Sequence, residues 1–213
     1  MTQQWTRLVN FGFRLLYNEL AFSYDLVSWV VSIGAWRCWI NTALGHLDGE
    51  SPVLELAHGT GNLQLDLSAA GYRAFGYDLS AAMGRVAQTK LIEHQVAARL
   101  TRGRAQQLPF AAGSFAAVVS TFPTDFITAP ETVREVYRVL RPGGLFVIVP
   151  NAVLVGGGAL GQGLEALYRI TGQRGGLEDH EKIARIFAPF EVKVVEEHCP
   201  RSVVTVICAR KSA

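Results

Sequence analysis

From residue 51 onward, apolar runs of strand length alternate with stretches of helical spacing. The runs are PVLELA (52–57), RAFGYD (73–78), FAAVVST (115–121) and GLFVIVP (144–150), each bounded by Gly, Pro, Asp or Ser. Between them LQLDLSAAG (63–71) and TVREVYRVLRPGG (132–144) have helical spacing, and Pro142 with Gly143–Gly144 reads as the stop of the second helix. This alternation predicts a parallel sheet wrapped by helices. The last run, FEVKVVEEHCPRSVVTVICARK (190–211), reads instead as two strands joined near Pro200, an antiparallel hairpin that closes the sheet. The first fifty residues lack strand rhythm and read as helices laid over one end of the sheet. Residues 151–181 carry a glycine cluster that suits a mobile cover. RLTRGR (99–104) reads as a solvated loop near the sheet edge.

A chain of 213 residues is long enough to bury one sizeable core. About half of it is apolar and its formal net charge is only +2, which argues against a nucleic-acid partner and for a small molecule or lipid. Cys38, Cys199 and Cys208 are odd in number and form no C-x-x-C pair, so neither a disulfide framework nor a cysteine metal site is expected, and a reducing cytoplasm fits. His46, His94, His180 and His198 show no metal-ligand spacing, so no metal is expected. Arg7, Asn10 and Arg14 interrupt the N-terminus before a signal-peptide core could form. No run reaches the roughly 18 to 20 apolar residues that span a bilayer.

The stretch VLELAHGTGN (53–62) places Gly59 and Gly61 at the exit of the first strand. In an open parallel sheet ligands lie beyond the carboxyl ends of the strands, so this turn is where a ligand belongs. A dinucleotide fingerprint needs a third glycine where Gln64 stands, and a phosphate loop needs Gly-Lys-Ser or Gly-Lys-Thr, which is missing. Two acids flank the turn instead: Glu55 on the first strand and Asp78 at the end of the second, seventeen residues after Gly61. A carboxylate at the second strand's tip suits ribose hydroxyls, and an acid at the turn suits a cation rather than a phosphate. An adenosine with an ammonium end meets both demands, and S-adenosylmethionine has that outline.

LELAHGTGN, GYDLS, AQQLPFAAGSFAAVVST and REVYRVLRPGGLFVIVP, taken in that order, resemble the class I S-adenosylmethionine-dependent methyltransferases from about residue 20 to the C-terminus. The N-terminal YNELAFSYDLVSWVVSIGAWRCWI is similar to the opening of the menaquinone and ubiquinone C-methyltransferases and, less sharply, to that of bacterial phospholipid N-methyltransferases. The resemblance implies a single domain with a Rossmann-like, mostly parallel seven-stranded sheet and an antiparallel C-terminal hairpin. Its parts would be a helical cover (1–50), a cofactor-binding core (51–150), a glycine-rich lid (151–182) and a closing helix and hairpin (183–213). It also implies that Gly59 and Gly61 admit the methionine portion, Glu55 holds the ammonium and Asp78 grips the ribose. Thr60 would add a hydroxyl beside the carboxylate, and Tyr24 would reach over the cofactor. Ala57 stands at the family's first glycine and is expected to need only a negative φ. Arg104 replaces an acid that many relatives aim at adenine, leaving the ring to the Ala105 backbone, Gln106 and apolar stacking from Leu79.

Each of these residues also has a plainer reading. Asp78 suits a helix N-cap, His58 suits packing as well as base catalysis, and Asp125 in FPTDFI suits either substrate contact or capping of the following helix. Arg7 and Arg14 among Trp5, Leu8, Val9, Leu15 and Leu16 suit an amphipathic helix, packed on its own domain or resting on a membrane as a peripheral contact. Methyl transfer needs alignment more than catalytic side chains, which matches a loud cofactor motif and a quiet catalytic one. The apolar covers imply a hydrophobic acceptor, a quinol-like ring or a lipid, with residues 5–34 and 152–176 forming its pocket and lid. A nicotinamide oxidoreductase shares the fold but needs the third glycine and often a Tyr-x-x-x-Lys pair. A module that binds S-adenosylmethionine without turnover is the other alternative.

Overall fold

The computed structural model describes residues 23–155 and 180–213. Two short helices, α1 (Tyr24–Val31) and α2 (Trp36–Asn41), precede the sheet. The core then runs β1 (Val53–Leu56), α3 (Asn62–Ala69), β2 (Ala74–Asp78), α4 (Ala81–Glu93), β3 (Leu100–Arg102), β4 (Phe115–Thr121), α5 (Pro130–Val139) and β5 (Leu140–Leu154). It closes with α6 (His180–Ile186), β6 (Phe190–Cys199) and β7 (Ser202–Lys211). The sheet order is β3-β2-β1-β4-β5-β7-β6. β1 to β5 pair in parallel and β7 pairs antiparallel with both β5 and β6, so β7 alone runs against the rest.

β1 and β4 are buried on both faces, which is why their sequences read as nearly unbroken apolar runs. Alternate residues feed two cores. Leu54, Leu56, Val118, Phe146 and Ile148 pack with Val133, Val136 and Val139 of α5 and with Ile183 and Phe187. Val53, Val119, Val147 and Val149 pack with Trp39 and Ile40 of α2 and with Leu63 and Leu67 of α3. The hairpin expected near Pro200 is present, with Arg201 at φ +57 in its turn.

Three expectations are corrected. RLTRGR is not a loop: Leu100–Arg102 forms edge strand β3, paired Gly76↔Leu100, Tyr77↔Thr101 and Asp78↔Arg102. With Thr101 and Arg102 exposed it has no apolar rhythm, and pairing with β2 alone makes it a strand. The helix expected through Pro142 ends at Val139, and residues 140–144 already belong to β5 as an irregularity, where the register jumps from Phe115↔Leu140 to Ala117↔Leu145. Gly144 is required there because a Cβ would stand 2.8 Å from the Arg141 carbonyl oxygen and 3.0 Å from that of Ala116. Third, Cys38 of α2 and Cys199 of β6 form a disulfide across 161 residues, leaving Cys208 free. Spacing says nothing about cysteines that the fold brings together.

Candidate functional site

The strand order reverses between β1 and β4, and the turn after β1 lies at that switch point. Its backbone is unusual: Ala57, Gly59 and Gly61 have φ of +57, +53 and +81. Ala57 is therefore in the left-handed region, not at the negative φ expected of it, and pays a steric cost that glycine would avoid. Gly61 is doubly constrained, because a Cβ there would meet the Ala87 Cβ of α4 at 3.0 Å.

Asp78 buttresses this turn. Its Oδ2 accepts from the Gly59 N–H at 3.0 Å and its Oδ1 from the Ser80 N–H at 2.7 Å. The N-cap of α4 is Ser80, whose hydroxyl accepts from Met83 N, so Asp78 is not the cap. Glu55 is 2% exposed. Gln64, also buried, donates to its Oε2 at 2.7 Å. The residue that breaks the dinucleotide fingerprint is thus the partner of the acid. Burial pushes the Glu55 carboxyl up to about 8, against the pull of Gln64 and helped by the charges of Asp78 and Asp66. A buried carboxyl with only an amide partner would gain a counter-charge from a cation bound beside it.

His58 lies under the turn, 5% exposed. A Cβ on Gly76 of β2 would stand 2.8 Å from its ring, so glycine there makes room for it. Its Nδ1 is 2.9 Å from the Gly59 carbonyl, a contact that needs the proton on Nδ1. Burial holds His58 below the ordinary histidine range despite the nearby Asp78 charge. Thr60 is buried and donates its hydroxyl to Asp25 of α1 at 2.5 Å, so that proton is committed inside the protein.

Around the end of β2, Leu79 is 58% exposed, whereas Ala105 is buried and Gln106 half-buried on the following loop. That loop is tied down by Gly103 N donating to the Asp78 carbonyl, by Tyr77 Oη donating to the Gln107 carbonyl, and by Leu108 N donating to Glu135 of α5 at 2.7 Å. Arg138 completes the anchorage, donating to the carbonyls of Leu108 and Phe110.

At the far side, Tyr24 packs against Ala82 and Met83 of α4 and meets Trp36 edge-on at 6.2 Å. Trp36 stacks on Phe122 at 4.5 Å, just past β4. These rings form an aromatic row from α4 to the end of β4. Asp125 is exposed in the 3₁₀ turn Asp125–Thr128 and does not cap α5, whose N-cap is Ala129. Sequence reading missed Asp25, Asn62, Gln64 and Lys90 as parts of this site. SYD and GTGN carry two of them, but nothing local marks their partners. Among the described residues no group of His, Cys, Asp or Glu could hold a metal ion. No helix among them is long and apolar enough to cross a membrane. Of the expected pocket and lid segments, residues 5–22 and 156–176 lie outside the described residues, as do Arg7 and Arg14.

The sheet order and the strand-end turn define a Rossmann-like α/β domain, and residues 53–144 match the family model of a methyltransferase domain. The chain resembles the class I S-adenosylmethionine-dependent methyltransferases. It is 36% identical over 146 residues to a demethylmenaquinone methyltransferase of Lactiplantibacillus plantarum, covering 64% of this chain and 61% of that one. It is 34% identical over 139 residues to the demethylmenaquinone methyltransferase of Thermus thermophilus, covering 63% of each. The match thus spans less than two thirds of these curated relatives. The fold is shared with geranyl diphosphate C-methyltransferase from Streptomyces coelicolor, solved with S-adenosyl-L-homocysteine, at TM-score 0.60 and 14% identity over 83% of this chain and 78% of that one. It is also shared with a SAM-dependent methyltransferase from Methanosarcina mazei at TM-score 0.57 and 21% identity over 80% and 97%.

Proposed function

We propose that the protein transfers a methyl group from S-adenosylmethionine to a small apolar acceptor of the quinol-ring class. The observation that carries this reading is the strand-end constellation at the switch point. Glu55 is buried without a cationic partner, Asp78 stands across the turn from it, and three left-handed residues shape the turn between them. An ammonium would find its counter-charge at Glu55, a ribose its acceptors at Asp78, and an adenine ring the exposed Leu79 with the Ala105–Gln106 loop. Gly59 and Gly61 would leave room for the methionine portion. When bound, S-adenosylmethionine supplies an electrophilic methyl group on a sulfonium. The chain's own task is to align the acceptor and exclude water.

Tyr24 and the Trp36–Phe122 stack would carry a planar apolar ring, in keeping with relatives named for demethylmenaquinone. His58 would brace the turn, and Asp125, exposed past β4, would be the acid that takes a proton from an acceptor. Leu26, Trp29 and Val30 of α1 are 64%, 61% and 54% exposed, an apolar stripe suited to an acceptor that arrives from a lipid surface and to peripheral contact with that surface.

Titration calorimetry with S-adenosylmethionine, S-adenosylhomocysteine and NADH tests the cofactor. Binding of the first two and not the third is expected, and the reverse pattern would sink the reading. Transfer of labelled methyl to reduced 1,4-naphthoquinone bearing a prenyl chain tests the acceptor. Cofactor binding with no transfer to that quinol or to other apolar acceptors would leave a binding module and defeat the proposed activity.

A further inference from the structure

Four polar side chains from three parts of the chain meet at the turn and have no role in the reading above. Thr60 Oγ1 donates to Asp25 Oδ1 at 2.5 Å, and Asn62 Nδ2 donates to the same oxygen at 2.9 Å. Lys90 Nζ of α4 donates to Asp25 Oδ2 at 2.6 Å and to Asn62 Oδ1 at 2.7 Å. The four close a ring of hydrogen bonds around one carboxylate. Burial pushes the Asp25 carboxyl up, but the hydrogen bonds from Lys90, Thr60 and Asn62 and the Lys90 charge outweigh it and keep the group ionised.

The turn that this ring touches holds three left-handed residues within five, one of them an alanine. Such backbone persists only where its surroundings over-determine it. Asp78 holds one side through the Gly59 N–H. The other side, Thr60 and Asn62, is held by Asp25, which comes from the cover helix α1 rather than from the core. The turn's geometry therefore depends on α1 being docked.

We propose that Asp25 and Lys90 are positioning residues for the cofactor turn. Their ion pair fixes Thr60 and Asn62, so that docking of α1 and formation of the cofactor site are one event. Neither residue touches the cofactor in this scheme. Asp25 accepts the hydrogen bond of the Thr60 hydroxyl and so fixes that side of the turn. Lys90 holds Asp25 and orients the Asn62 amide, so losing either member loosens the same unit. The inference rests on the reading that this turn binds S-adenosylmethionine.

The test is S-adenosylhomocysteine binding by calorimetry, with hydrogen exchange of residues 24–31, on the wild type, Asp25→Asn, Lys90→Met, their double variant and Lys90→Arg. Asp25→Asn and Lys90→Met should each weaken binding about tenfold, the scale of a lost hydrogen bond to a charged group. The double variant should be within about twofold of the weaker single one, because both act through one network. Lys90→Arg keeps the pair and should stay near wild type. S-Adenosylhomocysteine should protect residues 24–31 in the wild type and not in Asp25→Asn. If Asp25→Asn does not fold, the two Lys90 variants and the exchange of the wild type still decide. Folded variants with wild-type affinity, or losses that multiply in the double variant, would overturn the proposal, as would a fall in thermal stability alone. A wild type that binds no S-adenosylhomocysteine would instead remove the cofactor reading beneath it.

Discussion

Two glycine-containing bends stand at opposite ends of the sheet. Residues 57–61 follow the carboxyl end of β1, and residues 141–144 precede the buried part of β5. Both need glycine for steric reasons: Gly61 against Ala87, and Gly144 against the carbonyls of Arg141 and Ala116. Their polar surroundings differ. At the first bend Glu55, His58, Thr60 and Gln64 are all buried. At the second, Arg141 pairs with Glu50, and Arg210 reaches Asp48 at 3.0 Å and the Gly143 carbonyl at 2.9 Å. Those four charged side chains are 38–61% exposed, lining a cleft that Gly143 and Leu145 share. Solvated pairs of that kind contribute about 0–1 kcal/mol each and need no ligand to exist. Polar groups buried at a strand's carboxyl end need partners there, as Gln64 serves Glu55 and Asp25 serves Thr60, and on the proposed reading that burial separates a site from a bend.

The largest test of this contrast is a pair of substitutions. Asp78→Ala should cost about 2–4 kcal/mol of cofactor affinity, from lost hydrogen bonds to a charged acceptor. Arg210→Ala at the other bend should leave that affinity unchanged. Calorimetry on both variants reads the difference, and equal effects would erase the distinction between the two ends.

Glu55 sharpens the contrast through pH. Its carboxyl is raised by burial from 4.5 to about 8 in the folded protein. Over that window the folded state keeps a proton that the unfolded chain has released, so the group's contribution is full below about 4.5 and is lost as pH rises through about 8. Denaturant unfolding of the ligand-free protein should show stability falling between pH 5 and pH 9 by an amount on the order of a few kcal/mol more than in Glu55→Gln. Identical pH profiles would show that the carboxyl is not buried as described.

The smallest effect concerns the backbone. Ala57→Gly should stabilise the protein by about 1 kcal/mol, because the left-handed conformation no longer clashes with a Cβ, less the entropy glycine adds to the unfolded chain. A melting temperature that falls in Ala57→Gly would place the strain elsewhere.

The legible parts of the site were those encoded locally. Glu55 interrupts the first apolar run and Asp78 ends the second, and Gly59 and Gly61 come just after the first, so short-range pattern revealed acids, turn and strand ends together. The φ of Ala57 was not legible, because an alanine that the fold forces into the left-handed region looks like any other alanine. Asp25 was equally hidden. The motif SYD marks Tyr24 by its pattern, yet the acid beside it joins Thr60 and Lys90, 35 and 65 residues away. Leu100–Arg102 became a strand only by lying beside β2.

The order of apolar runs, helical spacings, glycines and strand-end acids by itself determined a parallel sheet with a glycine turn at a strand's carboxyl end and a C-terminal hairpin. Those features depend on residues within a few positions of one another, where periodicity and turn chemistry act. Tertiary structure alone decided the Cys38–Cys199 bond, the burial that raises Glu55, the edge strand and the ring of bonds around Asp25. Each joins groups far apart in the chain, and their energies depend on distance and desolvation in space, which linear order does not carry.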